Sequence, residues 1–187
     1  MIKDLHKLSA LNPVLFLDRD GVINKRLVDD YVKTWEEFEF LPGVLDSLKI
    51  LSNRFKYVFL ITNQQGVGKK LMSDNDLKYI HEKMLSVILK NGGKVDNIYY
   101  CPHLAGFGCN CRKPGIGLVL KAQEEYGIAD LSKSVMVGDS ISDMLFGRNV
   151  GAKNVYITNN NQASIVEGQQ SFVDYVFFSL IDFARAL

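Results

Sequence analysis

Two carboxylates stand two positions apart at the end of an apolar run, Leu15-Phe16-Leu17-Asp18-Arg19-Asp20-Gly21-Val22-Ile23-Asn24. In an extended chain residues i and i+2 point to one side, so Asp18 and Asp20 can serve a single site. Paired carboxylates also supply the oxygen ligands that a magnesium ion takes. Alone, these residues read equally well as an Asp-Gly turn after a strand. Two further apolar runs end in polar groups: Tyr57-Val58-Phe59-Leu60-Ile61 runs into Thr62-Asn63-Gln64, and Val135-Met136-Val137-Gly138 into Asp139. Arg112-Lys113 leads into a further helical segment.

If those strand ends meet in one crevice, they assemble a carboxylate nucleophile, a second carboxylate, a hydroxyl, an ammonium and a third carboxylate. Phosphoryl transfer through an aspartyl phosphate needs this set. A carboxylate attacking a phosphate dianion meets like-charge repulsion, which a divalent cation and a lysine offset. Thr62, with backbone amides near Gly21, can hold the phosphoryl oxygens.

Cys101-x-His103 and Cys109-x-Cys111 place four soft or borderline ligands within one short loop. Closed tetrahedral zinc sites use a Cys₃His set, and no open coordination position is implied, so the reading is structural zinc. Reduced, buried cysteines beside an ordinary histidine are the plainer alternative, and a CxC redox pair a third. His6 and His81 have no such neighbours and are expected at the surface.

The elements that must position these groups follow from periodicity. Residues 1–12 read as a polar lead-in, and Val14 to Asp18 as the first strand. Val28 to Tyr31 is loop. Thr34-Trp35-Glu36-Glu37 resembles a capping box and predicts a short helical turn. Phe38, Phe40 and Leu41 should pack onto the core. Pro42-Gly43 opens a helix with Val44, Leu45, Leu48 and Leu51 at helical spacing, ending near Asn53. Tyr57 to Thr62 is a strand apolar on both faces, as parallel strands covered by helices are. Ser73 caps a long helix with Leu77, Ile80, Met84, Leu85, Ile88 and Leu89 on one stripe, ended by Asn91-Gly92-Gly93. Strands are predicted over Val95 to Tyr100, Val135 to Asp139, Asn154 to Thr158 and Asp174 to Phe178. Helices are predicted from Pro114-Gly115 to about Tyr126, over Ile141 to Val150, and over the tail Leu180 to Leu187. This alternation predicts an α/β fold with a mostly parallel sheet and helices on both faces.

A chain of 187 residues, 47% hydrophobic and 23% charged, with a formal net charge of +1, is ordinary for a soluble globular protein. One domain spanning residues 1–187 is expected. The charge balance carries no nucleic-acid or membrane signal, and no apolar run approaches membrane-spanning length. The first residues lack the apolar core of a signal peptide, so a cytoplasmic location is the default, with a monomer as the default state.

The motifs resemble those of the haloacid dehalogenase superfamily phosphatases. Asp18-Arg19-Asp20-Gly21-Val22-Ile23-Asn24 resembles the first motif. Thr62-Asn63-Gln64, Arg112-Lys113-Pro114 and Val137-Gly138-Asp139-Ser140-x-x-Asp143 match the others in order. Two further stretches are similar to the D,D-heptose 1,7-bisphosphate 7-phosphatases and the related histidinol-phosphate phosphatases. They are Tyr31-Val32 with Trp35 and Phe38-Glu39-Phe40-Leu41-Pro42-Gly43-Val44, and the cysteine loop. The resemblance covers roughly residues 13–158.

It implies a three-layer α/β/α Rossmann-like fold with no large cap domain. Asp18 would be the nucleophile, and Asp20 the group that protonates the leaving alkoxide and then deprotonates water. Mg²⁺ would be held by Asp18, the Asp20 backbone carbonyl and Asp139, with Asp143 behind them or orienting Lys113. Thr62 and Lys113 would grip the phosphoryl group, and Zn²⁺ would sit in the Cys101, His103, Cys109, Cys111 loop. The substrate would be a small phosphorylated sugar, foremost a heptose 1,7-bisphosphate losing its 7-phosphate, with histidinol phosphate the alternative. Arg19, Asp30, Tyr31, Asn63, Gln64 and Arg112 would join Thr62 and Lys113 in binding it, Arg112 pairing with a distal phosphate.

The sequence departs from the family pattern in a longer segment between Asn24 and Tyr31 and a shorter zinc loop. It also has Ser140 where many members carry lysine, and Ile116 and Leu118 where a second proline and a methionine are usual. Two readings from other classes compete. A phosphoacceptor receiver domain would carry its acceptor on a middle strand and has no place for the cysteine loop. A zinc-organised binding module without catalysis is at odds with an intact Asp18, Asp20, Lys113 and Asp139.

Overall fold

The computed structural model describes Leu8, residues 14–159 and residues 170–187. The lead-in reading of residues 1–12 and the placement of His6 therefore lie outside the described residues, Leu8 apart, which is helical and buried.

Within them lie β1 (Val14–Leu17), β2 (Tyr57–Asn63), β3 (Asn97–Cys101), β4 (Ser134–Gly138), β5 (Lys153–Ile157) and β6 (Tyr175–Phe177). The helices are α1 (Val44–Ser52), α2 (Gln65–Gly68), α3 (Asp74–Lys90), α4 (Gly117–Tyr126), α5 (Ile141–Val150) and α6 (Leu180–Ala186). The described strands form one sheet in the order β3-β2-β1-β4-β5-β6, every neighbouring pair parallel.

The period of two along the strands sorts their side chains into two cores. Leu15, Leu17, Val58, Leu60, Val135 and Val137 pack with Leu48 and Leu51 of α1, Ile80 and Met84 of α3, and Leu180 and Phe183 of α6. Val14, Phe16, Phe59, Ile61 and Met136 pack with Leu118, Val119 and Ala122 of α4 and Phe146 of α5. Both faces are covered, so the strands read as unbroken apolar runs. Each fully buried Leu, Val or Phe contributes about 1.5–3 kcal/mol, which anchors the strands whose charged ends follow.

The chain winds outward from β1 through β2 to β3, then returns to lay β4 on the other side of β1. The crevice between β1 and β4 is the switch point where such sheets bind ligands. Leu17 pairs with Leu60 and with Val137, so Asp18, Thr62 and Asp139 emerge at the same edge.

Three local expectations are corrected. The segment at Thr34 makes a turn and no helix, because Glu37 accepts the Lys33 N–H at 2.8 Å, upstream of the predicted box. On α3, Ser73 and Asp76 do form a reciprocal capping box. Leu89 at its far end, however, is 72% exposed, since the core face has rotated on to Ile88 by the last turn. The third strand starts at Asn97, two residues after the predicted Val95. Segments 18–43 and 64–73 hold loops, turns and the four-residue α2, and no inserted cap. No described helix is long and apolar enough to cross a membrane.

Candidate active site

Past β1 the chain folds back on itself. The N–H groups of Ile23 and Asn24 donate to the Arg19 carbonyl, and Gly21 donates to the Asn24 carbonyl. The loop needs glycine at position 21, whose φ is +94° and where a methyl group would overlap the Asp139 carboxylate.

Lys113 precedes α4, and its backbone is clamped by Asn63. Lys113 N–H donates to Asn63 Oδ1 at 3.0 Å, and Asn63 Nδ2 donates back to the Lys113 carbonyl at 3.3 Å. The buried ammonium then lies 2.7 Å from Asp18 Oδ1, 2.6 Å from Asp143 Oδ1 and 2.7 Å from the Ile61 carbonyl. The other Asp143 oxygen accepts the Ser140 N–H and hydroxyl at 3.1 and 2.6 Å. Asp143 thus holds the Lys113 ammonium while also standing beside Asp18 and Asp139. Burial pushes the Asp18 carboxyl above its ordinary range, and Lys113 only partly pulls it back.

Asp20 is held differently. Arg19 Nη2 and Asn24 Nδ2 donate to Oδ1, each at 2.9 Å, and Gln64 Nε2 donates to Oδ2 at 2.7 Å. Against the upward push of burial, the Arg19 guanidinium and these bonds keep Asp20 below the usual carboxylate range. Gln64 also donates to Thr62 Oγ1 at 3.0 Å, which leaves the threonine proton free to point at a ligand.

Two residues expected to bind substrate do not reach the cleft. Arg19 is completely buried, because its guanidinium turns inward to Asp20 and to His81, with Nη1 3.2 Å from His81 Nε2. Gln64 is 1% exposed and spent on Asp20 and Thr62. His81 is likewise not a surface residue. It is buried on α3, and since arginine only donates, its Nε2 is the acceptor. Burial and the adjacent Arg19 charge push its pKa down to about 3, so the ring is neutral. An apolar stripe at Leu77, Ile80 and Met84, with His81 beside it, was the available signal.

The cleft of about 390 Å³ is at the small end for ligand sites. Asp30, Tyr31, Thr62, Asn63, Arg112 and Lys113 line it, together with Arg26 and Lys69. Lys69 Nζ sits 5.1 Å from the Tyr31 ring centre, and one buried nitrogen of Arg112, Nη1, has no hydrogen-bond partner. Against burial, the bond from Gln65 and the charges of Lys69 and Arg112 hold the Tyr31 phenol below its usual range. Lys69 and Arg112 therefore place two cationic groups at the Tyr31 end of the cleft, beside Asp30.

Oxygens of Asp18, Asp139 and Asp143 lie within 4.8 Å of one another, a hard donor set suited to magnesium. Arg26 Nη2 stands in for a cation there, 2.6 Å from Asp139 Oδ1, 3.0 Å from the Asp20 carbonyl and 3.8 Å from Asp18 Oδ2. These are the three groups expected to hold the metal, so the residues fit. Burial and the Asp18 charge raise the Asp139 carboxyl well above its ordinary range. The site thus wants more positive charge than Arg26 supplies.

The loop after β3 gathers a second set. Cys111 Sγ lies 3.1 Å from Cys101 Sγ, 3.3 Å from Cys109 Sγ and 3.1 Å from His103 Nδ1. Cys101 lies 3.6 Å from both Cys109 and His103. A sulfur–sulfur distance of 3.1 Å is far from a disulfide, whose bond is about 2.05 Å. Four donors around one point at such separations suit a tetrahedral metal, where Zn–S bonds of about 2.3 Å set sulfurs roughly 3.7 Å apart.

A sheet of this winding, with an Asp-x-Asp loop at its switch point, is that of the haloacid dehalogenase-like hydrolases, which makes the protein a phosphatase-type enzyme. The family model described as HAD-hydrolase-like matches residues 110–182. The chain is 44% identical over 138 residues to a D-glycero-alpha-D-manno-heptose-1,7-bisphosphate 7-phosphatase of Mycobacterium bovis, covering 74% of this chain and 73% of that one. It is 34% identical over 184 residues to the beta-heptose counterpart of Haemophilus influenzae, covering 95% and 97%. The crystal structure of a D,D-heptose 1,7-bisphosphate phosphatase from B. bronchiseptica, complexed with magnesium and phosphate, superposes with a TM-score of 0.83 at 33% identity, covering 92% and 96%. The chain belongs to the heptose-1,7-bisphosphate 7-phosphatase family.

Proposed function

We propose that the protein, as a single capless domain, removes the 7-phosphate of a heptose 1,7-bisphosphate through a phosphoaspartate on Asp18. The observation that carries this reading is a cleft with two places for anions. One is the Asp18, Thr62 and Lys113 end, and the other is the Tyr31, Lys69 and Arg112 end, where Arg112 has a buried nitrogen to spare. A bisphosphorylated sugar can use both; a monoester uses one.

Asp18 attacks phosphorus while Lys113, held in place by Asp143 and Asn63, neutralises charge on the transferring group. Thr62 donates its hydroxyl proton to a phosphoryl oxygen. Asp20 is ionised at rest, so it takes up its proton once the phosphate dianion arrives and raises its affinity for one. It passes that proton to the leaving alkoxide and afterwards takes one from the hydrolytic water. Arg19, Asn24 and Gln64 hold the Asp20 carboxylate in line. A magnesium ion on Asp18, Asp139 and the Asp20 carbonyl would offset the repulsion between nucleophile and phosphate. Zinc on Cys101, His103, Cys109 and Cys111 would brace the loop that leads directly into Arg112 and Lys113.

The test is steady-state hydrolysis of both anomers of the heptose bisphosphate, heptose 7-phosphate and histidinol phosphate. The expected order puts one anomer of the bisphosphate first in kcat/KM. A preference for histidinol phosphate would overturn the substrate assignment.

A further inference from the structure

Arg26 is the one cation in the site to which the phosphatase reading gives no task. Its loop position, two residues past the Asn24 bridge, belongs to no helix or strand, and its side chain is 47% exposed. Yet its Nη2 reaches into the buried edge of the sheet and touches Asp139, the Asp20 carbonyl and, at longer range, Asp18. Lys113 and Arg26 divide Asp18 between them, Lys113 on Oδ1 and Arg26 on Oδ2.

We propose that Arg26 is a built-in counter-ion of the metal site, which a divalent cation must displace in order to bind. This rests on the metal ligands assigned above. A guanidinium and a metal ion cannot share the same three oxygens, and arginine does not escape by losing its proton. Charge accounting gives the same answer. Asp18, Asp20, Asp139 and Asp143 face Arg19, Arg26 and Lys113, leaving one negative charge in excess. With Arg26 withdrawn the excess becomes two, which a divalent ion cancels. Withdrawal breaks no core packing, because the side chain sits on an exposed loop. It also has somewhere to go, since Arg26 borders the cleft that receives the substrate's phosphate. The side chain thereby sets how much metal the enzyme needs. The free site is occupied by its own arginine, and apparent metal affinity is lowered by the fraction of molecules in which that arginine is in place.

The experiment is calorimetric titration of the full chain with magnesium chloride, comparing the natural protein with Arg26→Gln. The expected result is about tenfold tighter magnesium binding in the variant. Equal or weaker binding by the variant would overturn the proposal while leaving the metal assignment intact. No magnesium binding by the natural protein would overturn both. A measurement independent of the variant's folding uses the natural protein alone, with phenylglyoxal labelling of Arg26 read by mass spectrometry. Magnesium chloride should speed labelling severalfold by releasing the guanidinium, and an unchanged or slower rate counts against displacement.

Discussion

Lys113 Nζ lies 2.7 Å from Asp18 Oδ1, although the two residues are 95 positions apart in the chain, and both are buried. The contact is a three-membered one, because Asp143 holds the same ammonium from the other side. Replacing Lys113 with methionine strands two buried carboxylates beside each other. Breaking a buried pair in this way costs about 3–5 kcal/mol, so Lys113→Met should lower the urea midpoint markedly at pH 7. It should also reduce turnover of a phosphate ester by at least about 10³-fold. A variant of natural stability would show that the ammonium is not the partner of these carboxylates.

Asp18→Asn tests the nucleophile. The amide keeps the shape and the Lys113 neighbourhood but cannot form a stable acyl phosphate. Multiple turnover of p-nitrophenyl phosphate with magnesium should fall to background. Full activity in this variant would exclude a phosphoaspartate at position 18.

Arg112→Met separates the two ends of the cleft. For heptose 1,7-bisphosphate, kcat/KM should drop by about 10- to 100-fold, the range for losing one charge-assisted contact. Hydrolysis of p-nitrophenyl phosphate, which has no second phosphate, should be little changed. An equal loss on both substrates would mean that Arg112 supports the Lys113 end instead.

The Cys₃His cluster should carry about one zinc per chain by elemental analysis of the purified protein. In Cys111→Ser the zinc should fall away and the thermal midpoint drop by roughly 5 °C or more. Full occupancy of the cluster's shape without metal, seen as an unchanged midpoint at zero zinc, would contradict a structural ion.

His81 gives a pH signature. Its pKa is about 3 when folded and 6.5 when exposed. Below pH 6.5 the unfolded chain therefore binds one more proton than the folded one. Stability falls as pH is lowered from 6.5 toward 3, with a slope approaching about 1.4 kcal/mol per pH unit. His81→Gln removes this term while leaving the carboxylates common to both proteins. Urea midpoints at pH 7, 6 and 5 should thus fall less steeply for the variant, and parallel slopes would refute a buried neutral ring.

Most of the scaffold was legible in the sequence because a doubly wound sheet writes itself as apolar runs ending in polar residues. Helix α5 matches its predicted bounds at both ends, and α1 starts right after the predicted Pro42-Gly43 opening and ends one residue before Asn53. Asp18, Thr62 and Asp139 meet through strand order and register, and the Asn63 side chain clamps Lys113 beside them. What the pattern could not carry was the direction of long charged side chains. Arg19 sits between two site carboxylates yet turns inward, since a partner 62 positions away, His81, waits there. Arg26 sits in a loop of solvent-facing composition yet turns in to Asp139, 113 positions away. Such choices depend on which charges the completed fold leaves unbalanced, and no local window contains them.

The two metal-type sites differ in the chain length they need. The Cys₃His cluster is complete within 10 positions of Cys101, whereas the carboxylate site waits for β4 to bring Asp139 back beside β1. Short loops close at little entropic cost and quickly. During synthesis the cysteine cluster can therefore assemble as soon as Cys111 has left the ribosome, while the acidic site still lacks a wall. With zinc in the cluster and magnesium on the carboxylates, as proposed, the two supplies would act on different stages in the life of the molecule, the first on its birth and the second on its work.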